Sequence, residues 1–127
     1  MPVPAALVLT AALQAPAPLP PDLAAVHKAF QAALAADDPA ALAKVTRFPL
    51  RSNEFGVLKD AAALKRGWGR IFPPAVRAAL AKGSLERTEG VKDTFEAFSD
   101  AGGLPIRFLF TRTQAGWRFS ALDNINE

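Results

Sequence analysis

The sequence predicts an α+β domain in which helices come first and a sheet follows, its aromatic face covered by them. Three observations carry that prediction. Between Asp22 and Leu80, one extended stretch apart, apolar residues recur at spacings of three and four, the period of an amphipathic helix. From Ser84 to Asn124 they alternate with polar ones, the period of a strand with one buried face. Aspartate-proline pairs punctuate the first half and glycine-containing turns the second, as helix starts and hairpin connections require.

The first helix opens at Pro21-Asp22, with Asp22 as N-cap, and Leu23, Val26, Phe30 and Leu34 form its apolar stripe. His27 lies at the edge of that stripe. A boundary or surface histidine is the favoured reading, because the sequence places no acid or hydroxyl beside it; a pocket imidazole that moves a proton is the alternative. Asp38 caps a short second helix with Pro39 at its first position, and Leu42 and Val45 face inward. Arg47 to Arg51 then reads as a strand with Phe48 and Leu50 inward. Pro49 cannot donate to a ladder, which makes it an edge strand. A turn at Asn53 to Gly56 returns the chain through Val57-Leu58-Lys59.

Asp60 caps a helix over Ala61 to Phe72 with Leu64, Trp68, Ile71 and Phe72 inward, although Gly67 and Gly69 each cost about 1 kcal/mol in a helix interior. Pro73-Pro74 breaks and restarts it, with Val76, Ala79 and Leu80 inward and Gly83 at the end. Lys65, Arg66, Arg70 and Arg77 leave the outer side of this pair basic, read as a solvated face. Ser84 to Glu89 and Val91 to Phe98 read as strands around Gly90. Val91, Asp93, Phe95 and Ala97 then share a face, so Asp93 is either a pocket acid or base or a carboxylate at the sheet's rim. The last element is a hairpin, Leu104 to Asn124, turning at Thr113 to Gly116. Ile106, Phe108 and Phe110 alternate with Arg107, Leu109 and Thr111; Trp117, Phe119 and Ala121 alternate with Arg118, Ser120 and Leu122. Symmetric closure sets Phe110 opposite Phe119 and Phe108 opposite Ala121.

Composition narrows the function classes. The 127 residues are 50% hydrophobic and 21% charged with a net charge of +3, which fits one globular domain and argues against disorder. The arginines are scattered, no tyrosine is present, and no nucleic-acid-binding motif emerges. The absence of cysteine removes disulfides, thiol catalysis and thiolate metal sites. With one histidine and no acidic metal loop, no metal site is expected. No nucleotide fingerprint or nucleophile motif implies a cofactor. Residues 1–17 read as a signal peptide, with a short apolar run at Ala5 to Leu13 and an Ala15-Pro16-Ala17 cleavage pattern but no basic n-region. Residues 18–21 form a Pro-rich spacer, and 22–127 a single domain. A secreted or periplasmic location follows, with no membrane anchor left after cleavage.

The residues Asp38-Pro39-Ala40-Ala41-Leu42, Phe48-Pro49-Leu50, Trp68-Gly69-Arg70-Ile71-Phe72 and Gly116-Trp117-Arg118-Phe119, in this order of elements, resemble the nuclear transport factor 2-like superfamily. SnoaL-like and ketosteroid-isomerase-like proteins belong to it, and the likeness is strongest to small secreted members of no assigned chemistry. It spans about residues 22–126. The resemblance implies a cone-shaped, cystatin-like roll, with N-terminal helices packed on a curved antiparallel sheet around an apolar pocket, and often a dimer through the outer sheet face. It carries no activity by itself.

Three functions follow. The favoured one is a non-catalytic exported domain binding a small, partly apolar ligand or a protein partner, with Arg51, Trp68, Asp93 and Phe108 as ligand-binding candidates. The second is an isomerase or cyclase with Asp93 as acid or base and His27 as helper. The third is a homodimerising module that uses the open sheet face.

Overall fold

The computed structural model of the chain describes residues 19–125, so the segment read as a signal peptide lies outside the described residues, as does the first residue of the spacer. The elements are α1 (Pro21–Ala35), α2 (Pro39–Ala43), β1 (Thr46–Ser52), α3 (Ala61–Ile71), α4 (Pro74–Lys82), β2 (Glu86–Arg87), β3 (Thr94–Ser99), a 3-10 turn (Ala101–Gly103), β4 (Ile106–Thr113) and β5 (Gly116–Asn124). The strands form one sheet in the order β1-β5-β4-β3-β2. The fold class is α+β, as the two periodicities predict.

Helix starts follow the sequence closely. Asp38 accepts the Ala41 N–H at 3.1 Å and Asp60 the Ala63 N–H at 2.9 Å, each satisfying one of the free donors of a first turn. Asp22 is not a cap. α1 begins two residues earlier than such a cap would set it, at Pro21 after Pro20, and Asp22 instead places its charge in the first turn, where the helix dipole favours it. The buried stripe of α1 is Leu23, His27, Phe30 and Leu34, with Ala33 beside it. Val26 is only half-buried. Steps of four, three and four keep a stripe centred better than one routed through Val26, so His27 belongs to the core and not to its edge. In α4, Val76 and Leu80 are buried but Ala79 is exposed.

The sheet departs from simple alternation in three places. β1 runs parallel to β5, and every other neighbouring pair is antiparallel. Two helices and three strands intervene between β1 and β5, ample chain for the crossover that a parallel pair needs. β1 ends the strand order, in keeping with Pro49, and the predicted return strand reduces to a single bridge between Leu50 and Leu58.

In the C-terminal hairpin, Phe110 faces Phe119 as predicted, but Leu109 faces Ala121. Ser120 is therefore an extra residue on β5, a bulge that shifts the alternation by one. Leu122 takes the predicted place of Ala121 opposite Phe108, and it is fully buried. Ser120 Oγ lies 2.6 Å from Thr111 Oγ1 across the strands.

The third departure is at β3. Gly90 (φ 78°) and Asp93 (φ 52°) adopt left-handed backbone, and the Val91 N–H turns back to the Thr88 carbonyl at 3.4 Å. The strand thus starts at Thr94, and Asp93 sits in the turn before it rather than on a face shared with Phe95 and Ala97.

Phe30, Phe72, Phe108, Phe110 and Phe119 are all fully buried. Phe30 packs against Phe110 and Phe119 with ring centroids 4.9 and 5.2 Å apart, and Phe72 against Phe108 at 5.6 Å. Each such side chain contributes roughly 1.5–3 kcal/mol by leaving water.

Candidate functional site

The residues singled out by sequence are dispersed. Arg51 is exposed and opposite Ala121, on the side of the sheet away from the helices. Trp68 is buried, tilted against Phe72 at 4.9 Å, and its indole N–H donates to Asp37 Oδ1 at 2.6 Å. The Arg77 guanidinium approaches the same carboxylate oxygen at 3.5 Å. That constellation ties α3 and α4 to the end of α1. Phe108 is part of the aromatic core. Asp93 is half-buried in its turn, and its carbonyl accepts the Arg112 N–H at 3.3 Å.

His27 retains 8% exposure. Its ring stacks on Phe30 at 6.4 Å and meets Phe110 edge-on at 5.9 Å. Nε2 has no hydrogen-bond partner among the described residues, and burial pushes the imidazole pKa below its ordinary value. The ring thus packs among phenylalanines, and no ion pair holds it among the described residues.

Among the described residues, an apolar cavity lies where α3 meets α4. It is a cavity of about 150 Å³ lined by Phe55, Arg70, Ile71, Pro73, Val76, Ser99, Ala101, Gly102, Leu104 and Ile106. None of the predicted site residues lines it. Its position follows from the sheet's inward face. Phe95, Phe110 and Phe119 make the first cross-strand row; Ala97, Phe108 and Leu122 make the second; Ser99, Ile106 and Asn124 make the third. Side-chain volume falls along these rows, and the cavity opens beside the third.

Two breaks in regular structure shape the mouth. Pro73-Pro74 separates α3 from α4, and Gly102 (φ 74°) turns the chain after β3 without a side chain to fill the opening. Ser99 Oγ, which is buried, accepts the Ala101 N–H at 3.2 Å. Arg70 is the charged member of the lining. It sits in the last turn of α3, where the helix dipole favours a cation, and its guanidinium carbon lies 5.8 Å from the Phe55 ring centroid, a cation–π distance.

A shallow groove lined by Val57, Leu58, Ala63, Arg66, Gly67 and Arg70 adjoins the cavity. Arg70 belongs to both linings, and a Cβ at Gly67 would stand 3.1 Å from Ile71 Cδ1 and 3.9 Å from Arg70 Nη2. Gly67 thus lets the Ile71 side chain lie against the α3 backbone beside the groove. The sequence did carry signals for this region, in the Pro-Pro break, the paired glycines at 102–103 and Arg66 and Arg70 one helical turn apart. Lys65, Arg66 and Arg70 are exposed, as the solvated-face reading expects. Among the described residues no three His, Asp or Glu side chains gather as a metal-holding group, and no helix is long and apolar enough to cross a membrane.

No family model matches the chain, and no curated protein matches it. Among solved structures it is similar to an NTF2-like protein with a cystatin-like fold from Novosphingobium aromaticivorans. The identity is 21%, the match covers 81% of this chain and 78% of that one, and the TM-score is 0.43. The α+β assignment rests on the element order and strand register given above.

Proposed function

We propose that the chain is a non-catalytic binding domain that takes a small apolar ligand in the cavity between α3, α4 and the open end of the sheet. The carrying observation is the lining, in which Phe55, Ile71, Val76, Leu104 and Ile106 supply apolar walls and no Asp, Glu or His is included. An acid–base reaction needs a titratable group within hydrogen-bond reach of the reacting atom. This supports binding over the isomerase-type alternative through Asp93. The size supports a ligand portion of about one ring, since an engineered apolar cavity of about 150 Å³ accepts benzene. Export, suggested by the N-terminal residues, remains part of the proposal. N-terminal sequencing of the protein recovered from a native culture's medium or periplasm checks it.

A thermal-shift titration with toluene and benzyl alcohol tests the binding reading. A ligand of the folded state must raise the melting temperature saturably, and Ile106→Phe, which fills the cavity, must abolish the rise. No shift in the unmodified chain, or an equal shift in the filled variant, overturns it.

A second reading, self-association through the outer sheet face, is favoured by Phe98, which is 49% exposed there opposite Arg107. Sedimentation velocity of the full chain and of Phe98→Lys decides it, because a dimer through that ring must dissociate in the variant.

A further inference from the structure

We infer that the ligand of the cavity is an amphiphilic carboxylate, its short chain or ring inside and its anionic head held outside by Arg70 with Arg66 behind it. This rests on the binding reading above and adds the chemical class. Arg66 and Arg70 are four residues apart on α3 and line one groove. Residues at that spacing are neighbours on a helix surface, and like charges there repel. Both are exposed, and neither forms an ion pair among the described residues, where the ion pairs are Arg77 with Asp37 and Arg107 with Glu96. The helix therefore holds two cations together with no protein anion between them, at the lip of an apolar cavity. An anion placed there relieves the repulsion.

Geometry selects the head and limits the tail. The Arg70 side chain reaches over the Phe55 ring at the boundary between groove and cavity. A guanidinium presents a planar fork that matches the two oxygens of a carboxylate. Gly67 lies in the same groove between Arg66 and Arg70, and a Cβ there would press on Ile71 Cδ1 of the cavity wall at 3.1 Å. The cavity, at about 150 Å³, takes one aromatic ring or a chain of about six carbons and no long acyl tail. Benzoate and hexanoate fit these demands.

Calorimetric titration of the full chain at neutral pH compares benzoate and hexanoate with their uncharged counterparts, benzyl alcohol and hexanol. The acids are expected to bind about tenfold tighter or more than the alcohols, as a charge-assisted contact requires, and their advantage should shrink with added salt. Arg70→Gln should bring the acid-to-alcohol affinity ratio down to about one, and Arg70→Lys should keep part of it. Arg70 is exposed, and circular dichroism of the Gln variant confirms that it folds. Equal binding of acids and alcohols, or an undiminished preference in Arg70→Gln, overturns the carboxylate assignment and leaves the binding domain standing. Binding of neither class overturns both.

Discussion

The two ends of the sheet's inward face are built from the same three strands, yet one is solid and the other hollow. At the first end, Phe95, Phe110 and Phe119 lie side by side across three strands, and Phe30 descends from α1 to close over the latter two. At the other, the equivalent row is Ser99, Ile106 and Asn124, and the covering helix is interrupted by Pro73-Pro74. Close packing at the first end leaves no room for a guest. Two rows further on the side chains are smaller, and a cavity of about 150 Å³ lies beside them. Burial alone does not distinguish a binding site from a core; local side-chain volume does.

The largest effect belongs to the solid end. Phe119→Ala should cost about 3–5 kcal/mol, because the cavity it leaves is walled by rigid rings; urea denaturation measures it. A loss below about 1 kcal/mol would mean that the aromatic cluster is far looser than its ring distances imply.

An intermediate effect should come from the joint between the two ends. Asp37→Ala strips the Trp68 indole of its acceptor and Arg77 of its partner, and the unsatisfied donor should cost about 1–3 kcal/mol. Asp37→Asn retains an acceptor and tolerates the positive φ of 55° there, so it should recover much of the loss.

Ile106→Phe makes the hollow end resemble the solid one. Because space is already present, stability should change by less than about 1 kcal/mol in either direction, while ligand binding disappears. A large destabilisation would show that the cavity cannot admit even a ring.

The smallest effect is a pH slope from His27. Burial lowers its folded-state pKa below 6.5, so in the window between those values the unfolded chain takes up a proton that the folded chain does not. Stability should therefore fall as pH drops below about 6.5, and this contribution should level off once pH passes the folded value. Denaturation across pH, compared with His27→Phe, isolates it; an identical slope in the variant would show that the imidazole does not titrate on unfolding.

Much of the fold was legible in the chain itself. Asp38 and Asp60 announce helix starts, Pro49 an edge strand, and the Phe108-Phe110 and Trp117-Phe119 alternation a hairpin with one buried face. These signals are local, written within a few residues of the structure they specify. The site was far less legible. Arg70 looks like any surface cation until the fold brings Phe55 and Ile106, from distant segments, into one cavity lining with it. Asp93 looks like a strand residue until Gly90 and its own positive φ make it a turn.

What the sequence determined by itself is the kind of each element and, for most, the face it buries, because periodicity is a property of neighbouring residues. What only tertiary structure decided is the parallel placement of β1 beside β5, the extra residue at Ser120 that turns Leu122 inward, the burial of His27, and the hollow beside Ile106. Each depends on how side-chain volumes from distant segments add up within one layer, and no single stretch of chain contains that sum.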